Sequence, residues 1–347
     1  MSEINHEAPQ PKRRGFIKTL VAGSVTAGGA AAGLLGDVDP VDGSFGMRQA
    51  QAQANAGPVK MAFIEWQPHT VPAAWSKGIE DVLKSQAGVQ YKLLDGQNKV
   101  EVQVSLMDTL INEGTSVIFL QPIDSVALAP SINKAKRAGI PVITLNIDAT
   151  APHAAHVEMS HYYGAMDIAR VMGEKMGGKG DVAILNAPPG IVIRDQRTKG
   201  FVDGMKKHHP SIKVVADQVA DWSRKKAQDV LATILAAKPG LAGVYGVNDS
   251  MALGAVDVAK EKGLLGKMVI FGNDGERDAL ESIEKAELTG TQYTDVFQQG
   301  RFAAASATVL ASGQVPATAF KKQAHLLMPY VIVTKENVAQ IQPSQRW

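Results

Sequence analysis

The chain has 347 residues, of which 45% are hydrophobic and 20% charged; it carries a net charge of +2 and contains no cysteine. That length suits two domains and that composition an ordinary soluble globular protein, while the near-neutral charge gives no argument for nucleic acid or for an acidic membrane surface. The lack of cysteine excludes disulfides, thiolate metal sites, cysteine nucleophiles and lipid attachment through an N-terminal cysteine.

The first segment reads as an address. In PKRRGFIKTLVAGSVTAGGAAAGLLG the basic cluster Lys12, Arg13, Arg14 and Lys18 precedes a weakly apolar run rich in Gly and Ala. Three overlapping A-x-A sites follow in RQAQAQANAG, which is signal-peptide order. The pair Arg13-Arg14 resembles the twin-arginine export motif. A transmembrane anchor is disfavoured, because glycines interrupt the run and few residues in it are strongly apolar. Residues 1–56 are therefore expected to be a signal peptide of twin-arginine type with its processing region, and the protein to be periplasmic.

From residue 59 short apolar runs alternate with helical stretches. The runs are VKMAFIEW, VQYKLLD, SVIFLQ, PVITLN, DVAILN, IKVVAD, GVYGVN, KMVIFGND and LTGTQYT; stretches such as EVQVSLMDTLINEG and AQDVLATILAAK show 3.6-type spacing. Gly, Pro, Asn and Asp mark the joins. Alternation of this kind predicts parallel sheet covered on both faces. Two segments are self-similar: IFLQPIDSVALA and VYGVNDSMALG each run a strand into Asp-Ser, at Asp124 and Asp249. Each falls at the same place in its own βαβ series, so two sheets are expected and not one. The predicted fold is α/β, with two similar Rossmann-like lobes joined by a multi-strand hinge. The first lobe comprises 58–160 plus 295–323, and the second 161–294 plus 324–347.

Ligands of open parallel sheets bind outside the carboxyl ends of the strands. Those ends carry Glu65, Trp66, Gln67 and His69, with Trp75 beyond; Asn146 and Asp148; Arg194 and Arg197; Trp222; Asn248 and Asp249; Asn273 and Asp274; and Tyr293, Thr294 and Asp295. Carboxylates, amides and guanidinium groups make paired hydrogen bonds with neighbouring hydroxyls, and indole faces suit the C–H side of a sugar ring. The candidate ligand-binding set is Trp66, Asn146, Asp148, Arg194, Arg197, Trp222, Asn248, Asp274, Thr294 and Asp295. Plainer roles compete: Asp124 is read as a helix cap, one of Asn248 and Asp249 as another, and Trp66 or Trp75 as core. His156, Glu158 and His161 are the one cluster resembling metal ligands, but their spacing fits no standard zinc pattern. No metal or cofactor is expected, and no catalytic constellation is visible.

Together LLDGQN, AGIPVITLN, RTKGF, GVNDSMALGA and FGNDG resemble the periplasmic sugar-binding proteins of ABC transporters, of ribose/galactose type, over most of residues 59–325. The resemblance implies a type I periplasmic binding protein whose lobes close on a sugar. It places binding positions at Asn146 and Ile147, at Arg194 or Arg197, at Trp222, Asn248 and Asp274, and at Thr294 or Asp295. Where ribose binders have an arginine this chain has Ile147, with Asp148 next. Their phenylalanine pair aligns near Val71-Pro72, which leaves stacking to Trp66 or Trp75.

The expected function is capture of a monosaccharide or polyol and its delivery to an ABC permease, by a monomer that is not an enzyme. Binding of an autoinducer-2-type signal is the alternative. A sugar-responsive regulator of the lac-repressor kind would need a helix-turn-helix where the export signal stands. A sugar hydrolase or isomerase would need a positioned acid/base pair. Replacing Arg13 and Arg14 together by lysine is expected to trap the precursor in the cytoplasm; normal periplasmic recovery on fractionation would count against the twin-arginine reading.

Overall fold

The structure, a computed structural model, describes residues 58–312 and 324–347. Residues 1–56, expected from the sequence to be an export signal, lie outside the described residues.

The chain begins with β1 (Val59–Glu65), α1 (Thr70–Leu83), β2 (Val89–Asp95), α2 (Val100–Asn112), β3 (Val117–Leu120), α3 (Ala129–Arg137), β4 (Val142–Leu145) and β5 (Ala155–Met159). It continues through α4 (His161–Lys175), β6 (Gly180–Asn186), α5 (Val192–His208), β7 (Ile212–Val219), α6 (Arg224–Ala237), β8 (Gly243–Gly246), α7 (Asp249–Glu261), β9 (Val269–Phe271), α8 (Arg277–Glu284) and β10 (Gly290–Tyr293). Last come α9 (Val296–Ala311), β11 (Ala324–Met328) and β12 (Val331–Thr334).

Two six-stranded sheets result, in the orders β11-β5-β4-β3-β1-β2 and β12-β10-β9-β8-β6-β7. Every pairing is parallel except that of β12 with β10. The orders correspond strand for strand, and β3 and β8 hold the same place. The two Asp-Ser segments thus mark equivalent strand–helix joins. The inner strands β3, β4 and β8 are buried at every residue, which is why they read as unbroken apolar runs. The edge strands β2 and β7 are largely exposed.

Two elements depart from the sequence expectation. The segment AHVEM forms β5, although two of its five residues are His156 and Glu158, both buried. The final run HLLMPYVIV is split at Pro329, whose missing N–H cannot continue a ladder. Its first half, Ala324–Met328, pairs with β5 in the first sheet, and only its second half joins the second sheet. Residues 324–328 therefore belong with the first sheet, and not with the second lobe where the sequence placed them. The chain passes between the sheets around residue 160, at 294–295 and at 329–330.

The first sheet carries a separate core on each face, and the second sheet has one continuous core. In the first lobe Trp75 is fully buried, packs edge-on to Phe63 at 6.3 Å, and donates its indole N–H to Gln299 Oε1 at 2.9 Å. Trp75 is thus a core residue that ties α1 to α9. The two helices press backbone against backbone: a Cβ on Gly78 would lie 2.1 Å from the Phe297 carbonyl oxygen, and one on Gly300 2.2 Å from that of Trp75. In the second lobe Phe201 stacks on Tyr245 at 4.4 Å. Trp347 packs against one core of each lobe and donates its indole N–H to the Thr294 carbonyl at a crossing.

Asp124 is exposed, and its Oδ1 accepts the Val126 and Ala127 amides, both at 2.8 Å, capping the turn that leads into α3. Asp124→Ala is expected to lower unfolding free energy by about 1 kcal/mol, measured as a shift in denaturant midpoint. An unchanged midpoint would show that the cap contributes nothing.

Candidate functional site

Between the sheets lies a cavity of about 150 Å³, lined by Trp66, Gln67, His69, Val71, Pro72, Gln121, Asn146, Met159, Ile193, Arg197, Trp222, Asn248 and Asp274. It sits where strand carboxyl ends from both lobes meet. On the first-lobe side the Trp66 amide donates to Gln121 Oε1 at 3.2 Å, and its indole N–H to Asn98 Oδ1. Buried Gln103 holds this wall by donating to the Glu65 and Gln121 carbonyls and accepting from the Ile123 amide.

The second-lobe side is organised by Arg197, which is 2% exposed. Its Nη2 donates to Asp274 Oδ1 at 2.5 Å, its Nη1 to the Val247 carbonyl at 2.6 Å, and its Nε to His161 Nδ1 at 3.2 Å. An acceptor at Nδ1 requires the hydrogen on Nε2, and His161 Nε2 donates to Asn146 Oδ1 at 2.8 Å. A hydrogen-bonded chain thus runs from Asn146 in the first lobe through His161 and Arg197 to Asp274 in the second. Burial, with the guanidinium alongside, holds His161 well below its ordinary pKa.

Three residues lining the cavity have positive φ: Asn146 at 63°, Trp222 at 58° and Asp274 at 128°. Such backbones cost on the order of 1–3 kcal/mol each and persist only where surroundings fix them. For Asp274 the fixing is visible. Asp249 is fully buried beneath it and accepts the amides of Gly275 at 2.7 Å and Glu276 at 2.8 Å, and the Thr291 hydroxyl at 2.6 Å. Gly272 makes room for this carboxylate, since a Cβ there would lie 2.1 Å from Asp249 Oδ1. Asn248 both caps α7, through Oδ1 and the Met251 amide at 2.9 Å, and faces the cavity.

Electrostatically the floor is crowded with carboxyls. Burial pushes Asp249 upward, with Asp274 adding to the effect. Burial also pushes Asp274 upward, against the pull of Arg197. Glu276 is pushed up to about 8 by burial and by the carboxylates of Asp249 and Asp274. Across the mouth the Thr70 hydroxyl donates to Glu276 at 3.4 Å, so the lobes touch there. On the first-lobe wall burial raises Glu65 to about 7.

Of the ten expected binding residues, Trp66, Asn146, Arg197, Trp222, Asn248 and Asp274 line the cavity. Four stand elsewhere. Asp148 turns away behind Asn146, accepts the Ala149 amide at 2.8 Å and approaches His153 at 3.2 Å. Arg194 pairs with Asp195 at 2.9 Å and lies 3.6 Å from Asp217. Thr294 is buried at the crossing, and Asp295 caps α9 by accepting the Gln298 amide at 3.0 Å. Sequence reasoning missed Gln121, although it directly follows β3 as Trp66 follows β1. It also missed Met159, which ends β5, and read His161 only as a member of a metal-like cluster, not as the partner of Asn146 and Arg197. Val71 and Pro72, which the resemblance sets against an aromatic pair, also line the cavity.

Two matching α/β lobes with a polar and indole-lined cleft between them define a two-lobed binding protein. The periplasmic binding protein domain family matches residues 63–314, and the chain belongs to that family. It is 31% identical over 243 residues to the xylitol-binding protein of Mycolicibacterium smegmatis, covering 70% of this chain and 67% of that one. It is 30% identical over 249 residues to the D-apiose import binding protein of Paraburkholderia graminis, covering 71% and 77%. Among solved structures, an ABC transporter periplasmic solute binding protein from Actinobacillus succinogenes with bound D-allose matches with a TM-score of 0.74 at 27% identity, over 82% of this chain and 99% of that one.

The raised carboxyls give a pH dependence of defined sign. Unfolded Asp and Glu titrate at about 3.9 and 4.3, whereas Glu65 and Glu276 keep their protons to about 7 and about 8, and Asp249 is also raised. Between these limits the three carboxyls bind more protons in the native state than in the unfolded state, so their contribution to stability falls as pH rises. Buried His161 works in the opposite sense below about pH 6.5, so the melting temperature is expected to decline between about pH 6.5 and about 8. Asp249→Asn, whose amide can donate to the Thr291 hydroxyl, is expected to flatten the decline; a profile identical to wild type would remove Asp249 from this account.

Proposed function

We propose that this protein captures a monosaccharide or polyol between its lobes outside the cytoplasm and delivers it to an ABC-type permease. The observation that carries this reading is the lining of one small cavity by hydroxyl-binding groups from both lobes: Gln67, His69, Gln121 and Asn146 on one side, and Arg197, Asn248 and Asp274 on the other. Trp66 and Trp222 add indole surface to it. A ligand held from both sides favours the closed arrangement over an open one. The import and polyol-binding relatives support the same reading, and among the described residues no helix is long and apolar enough to cross a membrane.

Binding without chemistry fits the site. Both nitrogens of His161 are engaged, and Asp274 is tied to Arg197, so neither is free to move a proton. Asp274 lines the cavity, so its carboxylate can also accept from a ligand hydroxyl.

A thermal-shift screen against pentoses, hexoses and polyols is expected to give a rise in melting temperature for one such class, about 2.7 kcal/mol of stabilisation at one hundred times Kd. Asp274→Asn is expected to weaken that ligand by roughly tenfold or more, the value of one hydrogen bond to a charged group, in calorimetric titration. Asp148→Ala is expected to leave affinity unchanged. A protein that no sugar or polyol stabilises would overturn the reading.

A further inference from the structure

Away from the cleft, β5 carries His156 and Glu158 on one face, because residues two apart in a strand point the same way. The edge strand β11 lies beside it in parallel register, with His325 opposite His156. The three side chains converge. Glu158 Oε2 is 3.1 Å from His156 Nε2, and Oε1 is 2.9 Å from His325 Nε2. One ligand atom from each residue falls within 4.8 Å of the other two. The His156 side chain is fully buried, that of Glu158 is 12% exposed, and that of His325 is half exposed at the rim. His161, the third member of the cluster seen in the sequence, is not part of this group; it is buried between Asn146 and Arg197.

Behind the group, His156 Nδ1 lies 2.7 Å from Thr144 Oγ1, which in turn lies 2.9 Å from His153 Nε2. His153 Nε2 is also 3.2 Å from an Asp148 carboxylate oxygen, and its Nδ1 donates to the Ala151 carbonyl at 2.7 Å. Donation from His156 Nδ1 to Thr144 Oγ1 leaves His156 Nε2 bare toward Glu158, which is the tautomer a metal ion in the gap between them would select.

We propose that His156, Glu158 and His325 bind a divalent transition metal of the zinc class. Two imidazoles and a carboxylate are a zinc donor set, and the exposed rim at His325 leaves a fourth position for water. Thr144 supplies the outer hydrogen bond that orients a metal-bound imidazole. The metal would fasten β11 to β5 across 167 residues of chain, just before the crossing at 329–330. It would also protect an edge strand that exposes Leu326 and Leu327.

The test uses the full chain, stripped with a chelator and titrated with zinc chloride by calorimetry and thermal melting, with cobalt(II) absorption as a second readout. The expected result is one tight zinc per chain, a raised melting temperature and an intense visible cobalt band. His325→Gln keeps a donor to Glu158 but offers no imidazole, so its metal-free melting should match wild type while zinc affinity falls at least about tenfold and the cobalt band weakens. Thr144→Val should weaken zinc by about 10–100-fold. If zinc leaves wild-type melting unchanged, the gap is filled by a proton and the proposal fails. Zinc affinity undiminished in His325→Gln would place the metal elsewhere and overturn it equally.

Discussion

A guanidinium that is 2% exposed survives in a protein interior only if its donors are met and its charge is balanced. Arg197 satisfies both conditions with groups from separate stretches of chain: the Asp274 carboxylate after β9, the Val247 carbonyl after β8, and the His161 ring at the start of α4. One side chain thereby fixes three strand ends relative to one another. Through His161 and Asn146 the same network reaches the opposite lobe. The cleft is shaped by this constraint more than by shape matching of apolar surfaces.

The carboxylates around it follow a division of labour. Asp249 and Asp274 lie close enough to influence each other, yet one is shut away beneath a turn and the other faces the cavity. Asp249 holds the Asp-Gly turn by its amides, and the turn aims Asp274. Glycines at 272 and 275 are required by this arrangement, because a Cβ would strike Asp249 at the first and Tyr293 at the second. A short polar sequence, GNDG, thus encodes a backbone held in an uncommon conformation and a carboxylate presented to the cleft.

Much of the fold was legible because inner parallel strands, covered on both faces, must be apolar throughout; β3, β4 and β8 announce themselves that way. β5 does not, since His156 and Glu158 are buried by meeting each other and His325, a partner 167 residues distant that no local pattern reveals. Asn248 and Asp274 were legible as polar residues at strand ends. Arg194 and Arg197 lie one turn apart on the same helix, and what separates them is His161, which arrives from the other side of a crossing. Asp148 was misplaced for a related reason: the positive φ of Asn146 redirects the chain, so residues two apart do not share a direction there.

The four tryptophans of the chain occupy unlike surroundings. Trp66 and Trp222 line the cleft, Trp75 is sealed in a first-lobe core, and Trp347 rests on one core of each lobe with its indole hydrogen-bonded at a crossing. An indole's emission reports the polarity around it, so the molecule carries built-in optical gauges: two for occupancy of the cleft, one for strain at the joint, and one buried reference that should stay silent while the others change.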